Sequence, residues 1–487
     1  MATTFHMGHW IPVTWLTLGL DHVLWGMDPR GYHLTSLVFH AATAVAFYAL
    51  ACRLLERALP RETPRLDITL GAAASALLFA VHPLRVESVA WATERRDVVS
   101  GLFYVLALLC YLKAFDRAPA ARPRRPVSWS ARLRLRLPPH VNWSARLRLR
   151  LPLWYGLTLA CFAAAVLSKS IAVTLPVTLL VLDVYPLRRL GGPAGWRAPR
   201  PWLEKLPFFA LSAAVAAVAF LAMLPLGNAL SVADMGLGLR VFLSVYGLAF
   251  YLFKTVLPLD LSPLYPVFVT ITWWHFAVVA GTALVAVLMR RRWPAFTAVC
   301  LVYAITLAPV LGFFHNGPQA VADRYSYLAC LGWALLAGGA VAWSWSGARV
   351  VRAVAAVIVV VLVMLTAQQV RVWRDSVSLW SYAVALEPGN RIARINLGGA
   401  YVEQGRMPEA IVQYREVLRL SRDKAPWYAV LGWLYARSGL VADALPLFVE
   451  ALRLDPGRPD ACANVREAVA VLRVPAPAEL SGCPPAG

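Results

Sequence analysis

The chain predicts an all-α protein, a polytopic membrane helix bundle followed by a helical repeat domain. Two observations carry this. Of its 487 residues, 59% are hydrophobic and only 15% charged. Apolar runs recur from about Tyr32 to Val370, each close to the ~20 residues that cross ~30 Å of hydrocarbon as a helix. None of them alternates polar and apolar residues as a barrel strand would, so helices are the expected spans. After Val370 acidic residues appear, and the apolar pattern becomes amphipathic with a 34-residue period.

Ten spans are expected, beginning near His33, Ile68, Val98, Leu153, Ile171, Pro207, Trp274, Pro294, Tyr327 and Val351. Five connections are basic: 53–65, 113–150, 188–205, 290–292 and 349–352. If all five are cytoplasmic, the chain starts and ends outside a plasma (inner) membrane, with the repeats on the extracytoplasmic side. Leu153 to Pro186 is short for two spans, and a pair of short helices turning at Lys169 fits it. Arg240 to Pro258 would flip the parity if it crossed, so it is read as an interfacial or re-entrant helix. The resulting divisions are 1–32, part of an extracytoplasmic loop; 33–370, the membrane domain; 371–472, the repeats; and 473–487, a Pro-rich disordered tail.

In the repeats, Leu397-Gly398, Tyr401, Ala410 and Tyr414 return as Leu431-Gly432, Tyr435, Ala444 and Phe448. This is a tetratricopeptide-type pattern, in which small residues let paired helices approach and aromatic residues fill the gap between them. Such an array leans on the membrane domain or on a partner. A second duplication, Trp129–Pro138 repeated as Trp143–Pro152, reads as a local event tolerated in a loop, or as an Arg/Leu segment lying on anionic lipid. Asn142-Trp143-Ser144 matches a glycosylation sequon but lies on the side read as cytoplasmic.

The formal charge of +21 would suggest nucleic acid in a soluble protein. Here residues 113–150 alone carry eleven Lys/Arg against one Asp, so the charge belongs to loops facing membrane lipids, and no nucleic-acid partner is expected. The seven cysteines show no metal spacing. Cys462 and Cys483 would pair if their side is oxidising.

Chemistry concentrates in four polar segments: His6–Arg30, His82–Asp97, the neighbourhood of Lys169, and His315–Tyr325. His82–Asp97 packs one His, two Glu, three Arg and one Asp into 16 residues. Ionisable groups held between spans are costly, so they face water, a partner or a substrate. Converging on one membrane face, the segments would offer the carboxylates Glu87, Glu94 and Asp97 as catalytic candidates. Arg95, Arg96, Lys169 and Arg324 would be the cations for a phosphate head group, with His82, Asp323 and Tyr325 in support. Carboxylates also suit a divalent metal, although no metal ligand set is assigned. Together these groups suggest group transfer from a lipid-phosphate donor. The bland alternatives are a loop whose charges pair as Arg85/Glu87 and Arg95/Asp97, a Lys169 that snorkels, and an Arg324 that anchors at the interface.

Several blocks resemble the membrane O-mannosyltransferases that carry C-terminal tetratricopeptide repeats, and especially their bacterial relatives. They are Thr3–Leu16, Gly31–Leu37, His82–Ser100, Leu167-Ser168-Lys169, Glu204–Pro207 and Ala322–Tyr327, so the resemblance covers nearly the whole chain. It implies a GT-C-type glycosyltransferase that moves a sugar, mannose first among candidates, from a polyprenyl-phosphate donor to Ser/Thr hydroxyls of exported proteins. In that family a span and an acidic stretch precede the block matching Thr3–Trp15. The resemblance therefore puts the catalytic acid before Met1, and a truncated or inactive chain is expected. The competing expectation is a non-catalytic membrane scaffold whose repeats bind a periplasmic protein.

Overall fold

The computed structural model describes residues 10–115, 143–192, 195–223, 236–265, 270–312, 319–343, 348–456 and 458–484. Among the described residues every regular element is helical. The chain forms two units, Met1–Leu259 with Val267–Ala367, and Asp260–Pro266 with Gln368–Gly487.

The first unit opens with α1 (Pro12–Trp25), inside the segment expected to be a loop. Pro12 suits the first helical turn, and Gly26, at φ 61°, ends the helix in the left-handed region. Helix α2 (Pro29–Ala58) follows, capped by the Asp28 carboxylate, which accepts the Arg30 N–H at 3.0 Å. Next come α3 (Arg65–Ala80), α4 (Val86–Ala90) and α5 (Arg95–Ala114). Pro83 forbids the chain from running straight from α3 into α4, and the two are bent by 55°. His82 covers the break: its Nδ1 accepts the Leu84 N–H at 3.3 Å, so Nε2 donates to the Thr255 carbonyl at 3.1 Å.

Helix α6 (Trp143–Ser168) ends at Lys169, a 3-10 turn covers Ser170–Thr174, and α7 is Leu175–Val184. This is the pair of helices turning at Lys169 that the sequence suggests. The unit continues with α8 (Pro199–Leu203), α9 (Leu206–Met223), α10 (Leu237–Val256), α11 (Trp273–Met289), α12 (Pro294–Leu307), α13 (Ser326–Ala329), α14 (Leu331–Trp343) and α15 (Ala348–Val372).

Five of the described helical segments are long and apolar enough to cross a membrane, or up to seven if each bent pair counts as one span. The first unit is thus that of a multi-pass membrane protein. All ten apolar runs read from the sequence fall on helices, but Pro152–Ser168, Ser170–Val184, Trp273–Met289 and Pro294–Val310 are shorter than a full span. Leu237–Val256, expected to be interfacial, is among the five long ones.

The core of this unit gathers Phe47, Leu50, Phe79, Val98, Tyr104, Phe162, Phe208 and Tyr327. Helices α3 and α14 meet where Gly71 faces Gly338; a Cβ on Gly71 would lie 2.5 Å from the Gly338 carbonyl oxygen, the close approach small residues permit between membrane helices. His40 ties α2 across this core, donating to the Ala80 carbonyl at 3.0 Å and accepting from the Tyr327 hydroxyl at 2.8 Å.

The second unit contains α16 (Ser376–Leu386), α17 (Arg391–Glu403), α18 (Met407–Leu420), α19 (Ala425–Arg437), α20 (Val441–Leu454) and α21 (Pro459–Leu472). The starts of α17, α19 and α21 recur every 34 residues. Gly405 and Gly439, at φ 72° and 80°, turn each hairpin. The next N–H reaches back to the carbonyl of Tyr401 at 2.8 Å or Tyr435 at 2.9 Å. A Cβ on Gly398 or Gly432 would lie 2.6 Å from the ring of Tyr414 or Phe448, so the glycines exist to seat those rings. The tail departs from expectation. Ala478–Gly482 form a 3-10 turn, and Cys483 is disulfide-bonded to Cys462 of α21 with a Cα separation of 5.8 Å.

The first copy of the Arg/Leu duplication, Asn142 of the sequon, His6, His9 and His315–Pro318 lie outside the described residues.

Candidate active site

Four pieces of chain build the candidate site: α4, the turn at Ala92–Glu94 with the first turn of α5, Lys169 at the end of α6, and the 3-10 turn Asp323–Tyr325. Glu94 and Asp97 stand three residues apart and so share a helix face. Glu94 lies at the centre. Arg96 grips it in a bidentate pair, Nε to Oε2 at 2.8 Å and Nη2 to Oε1 at 2.5 Å. Arg324 Nε approaches Oε1 at 3.3 Å, and Lys169 Nζ lies 3.7 Å from Oε2. Lys169 closes a shorter ion pair with Asp97, whose other oxygen accepts from Ser88 Oγ at 3.3 Å. Glu87 binds Arg324 twice, through its guanidinium and through its backbone N–H at 2.8 Å.

Three carboxylates and three cations therefore neutralise one another, all buried except Arg96, which is half-buried. Burying ions costs several kcal/mol each, roughly offset only when every partner is present. The Arg324 guanidinium lies 5.3 Å from the ring centre of Trp91 and 5.1 Å from that of Tyr325, a cation–π arrangement. Trp91 is exposed and Tyr325 half-buried, so these rings and Arg96 form the rim through which the cluster meets its surroundings.

Neither bland pairing forms. Arg85 donates to Ser326 Oγ at 2.9 Å and packs against the rings of Phe79 and Tyr327, while Glu87 serves Arg324. Arg95 is not brought to the cluster. It is fully buried on another face of α5, ion-paired with Asp21 of α1, and it also donates to Ser36 Oγ at 3.2 Å and the Tyr32 carbonyl at 2.6 Å. Sequence spacing held no signal for this, since Arg96, two residues from Glu94, binds it, while Arg95, one residue away, does not. Sequence reasoning also passed over Asp21, Ser88 and Trp91 as partners.

His82 caps the α3–α4 break as described, and Asp323 is buried with its carbonyl accepting from Ser326 Oγ at 2.6 Å. The carboxylates do not suit a divalent metal. Each is spent on a cation, and among the described residues no three His, Cys, Asp or Glu side chains converge as a metal would require.

A second ionic network, unread in the sequence, sits at the far end of α5. The Tyr111 hydroxyl donates to Asp183 and accepts from Lys205 Nζ at 2.6 Å and Arg189 Nη1 at 2.7 Å. Lys205 reaches Asp183 at 2.5 Å, both fully buried, and Arg189 also pairs with Glu204. All charges here are internally paired, which marks a structural joint between α5, α7 and α9.

No family model matches the chain. It is similar over 91% of its length to Protein O-mannosyl-transferase Tmtc3 of Drosophila melanogaster, at 23% identity across 513 aligned positions, which cover 52% of that protein. Over 21% of the chain, identity reaches 36% with Protein O-mannosyl-transferase TMTC3 of Mus musculus and 35% with Protein O-mannosyl-transferase tmtc2 of Xenopus laevis, covering 10% and 11% of those proteins. The chain spans about half the length of the Drosophila relative. This homology, nearly end to end on the chain's side, supports the family that the sequence blocks resemble.

Proposed function

We propose that the protein is a membrane O-mannosyltransferase with a GT-C-type fold, moving a sugar from a polyprenyl-phosphate donor to Ser/Thr hydroxyls of exported proteins. The observation that carries this reading is the anion seat at Glu94, one carboxylate approached by Arg96, Arg324 and Lys169. Three cations converging on one point also suit a phosphate, and charge-assisted hydrogen bonds from arginine are the strong ones. The homology to proteins named O-mannosyl-transferases points the same way.

In this reading Arg96, Lys169 and Arg324 hold the donor phosphate, while Glu87, Glu94 and Asp97 keep those cations placed and charge-balanced. Transfer breaks the bond between the sugar C1 and the phosphate oxygen. The acceptor oxygen bonds to C1 from the opposite face, and polyprenyl phosphate leaves with the electron pair. The extra negative charge falls on the phosphate, where preorganised cations act most strongly. The acceptor proton passes to a carboxylate, and Glu87, Glu94 and Asp97 are those the cluster offers. Trp91 and Tyr325 at the rim supply flat apolar faces for a sugar ring.

The helix hairpins of the second unit fit a tetratricopeptide array that presents protein acceptors. The Cys462–Cys483 bridge favours an oxidising, extracytoplasmic side of the inner membrane for them.

The test is reconstitution of the full chain with polyprenyl-phosphate mannose and a Ser/Thr-rich peptide. Donor-dependent mannosylation that falls at least about 100-fold in Arg324→Ala supports the reading. Transfer at the parent rate in both Arg324→Ala and Lys169→Ala would remove the site, and absence of any transfer by the parent would remove the activity.

A further inference from the structure

The first unit holds an open cavity of about 890 Å³ between α2, α5, α7, α12 and α14 that the ion cluster does not use. Its walls are apolar, with Leu50, Val299 and Leu335 among them, and Tyr104 lines its inner end. The Tyr104 hydroxyl is already spent on Thr178 Oγ1 at 2.8 Å. The exposures show where the cavity opens. Tyr104 is 2% exposed, whereas Trp293 and Trp343, which also line it, are 50% and 58% exposed. Arg292, at the same end, is exposed and has no ion pair among the described residues.

An apolar space of this size forfeits dispersion contacts when empty and offers water few polar partners, so it favours an apolar occupant. Lined by apolar helices of the membrane unit, two of them (α2 and α5) long enough to span, it can draw hydrocarbon from the bilayer. An arginine beside a tryptophan is the pattern of a membrane–water interface, and basic residues there attract anionic head groups. Arg292 continues the run Arg290-Arg291-Arg292. Asp97 of the cluster lies seven residues of α5 away from Tyr104, ~10 Å along a helix, and no cluster residue lines the cavity.

We infer that this cavity is a binding site for an anionic phospholipid, with an acyl chain inside it and the head group on Arg292. The site is separate from the proposed donor site and does not depend on the proposed activity. Occupancy would couple the packing of α12 and α14 to the lipid composition of the leaflet at the basic end of the bundle.

The test uses the full chain purified in mild detergent and exchanged against vesicles of phosphatidylcholine with or without phosphatidylglycerol. Retained lipid is read by native mass spectrometry. A phosphatidylglycerol carrying a diazirine in its acyl chain maps the contact. The expected result is retention of phosphatidylglycerol over phosphatidylcholine, with label on the peptides covering 289–302 and 328–343. Arg292→Ser weakens phosphatidylglycerol retention about fivefold and leaves phosphatidylcholine unchanged, and Ala298→Phe, which fills the cavity, removes the label. The labelling of the parent needs no variant, so a misfolded Ala298→Phe does not blunt the test. Absence of retained phospholipid, equal retention of both lipids, label confined to other peptides, or displacement by polyprenyl phosphate would each overturn the inference.

Discussion

Arg95 and Arg96 are neighbours in the chain and serve separate networks: Arg96 binds Glu94 at the rim of the cluster, and Arg95 binds Asp21 in the interior. Adjacent guanidiniums with such different partners separate the chemistry of this region from its construction.

The first prediction follows from that division. Arg95→Met leaves Asp21 buried without its cation and costs about 3–5 kcal/mol, seen as a lower Tm in detergent with an unchanged KM for the donor of the proposed reaction. Arg96 is 15% exposed, so Arg96→Met costs less stability. It raises the donor KM about tenfold, as expected for one charge-assisted hydrogen bond of ~1.5 kcal/mol. Identical effects of the two substitutions on KM would contradict the assignment.

Lys169 and Asp97 form a buried pair across 72 residues of chain. Lys169→Met and Asp97→Asn should each destabilise by about 3–5 kcal/mol, and the double variant by clearly less than their sum. The cycle is measured by chemical or thermal unfolding, and additivity would show that the pair does not interact in the folded protein.

The bridge from Cys462 to Cys483 closes 21 residues of sequence, a loop whose cross-link contributes about 3 kcal/mol. Reductant should release the C-terminal turn and raise hydrogen exchange in α21 while sparing α17 and α18. Both thiols should resist maleimide in protein taken directly from cells; ready labelling there would argue for a reducing compartment.

Asp375 caps α16 by accepting the Ser378 N–H at 2.8 Å, and that bond holds its carboxyl below the usual carboxylate range. A depressed carboxyl contributes its stabilisation above the unfolded value of about 3.9 and loses it as pH falls through the lower folded value. The parent and Asp375→Asn should therefore differ in the acid dependence of α16 exchange below about pH 4 and agree near neutrality. Asp375→Ala should lose about 1 kcal/mol at neutral pH. Parallel acid profiles for the parent and Asp375→Asn would show that the cap carries no linkage.

The repeats were legible because their signal is local. Gly398 and Tyr414, then Gly432 and Phe448, recur at one period and pack as that period implies. The pairing within the ion cluster was not legible. Glu87 finds Arg324 across 237 residues, a distance over which neither periodicity nor spacing carries information. One misreading had a local remedy: Pro12 and Gly26 mark the start and stop of α1. The Asp183–Lys205 joint had no such remedy, because one charge at the end of α7 and others in the connection 188–205 look like solvated residues until the fold brings them together.

Helix α5 carries an ionic network at each end, Glu94 to Asp97 at one and Tyr111 at the other. A rod bolted at both tips can neither slide along its axis nor spin without breaking buried ion pairs at two places at once. Whatever rearranges in the first unit must move around α5, which makes it the fixed axle of the bundle and directs a search for mobile parts to helices that lack a buried ionic network at each end.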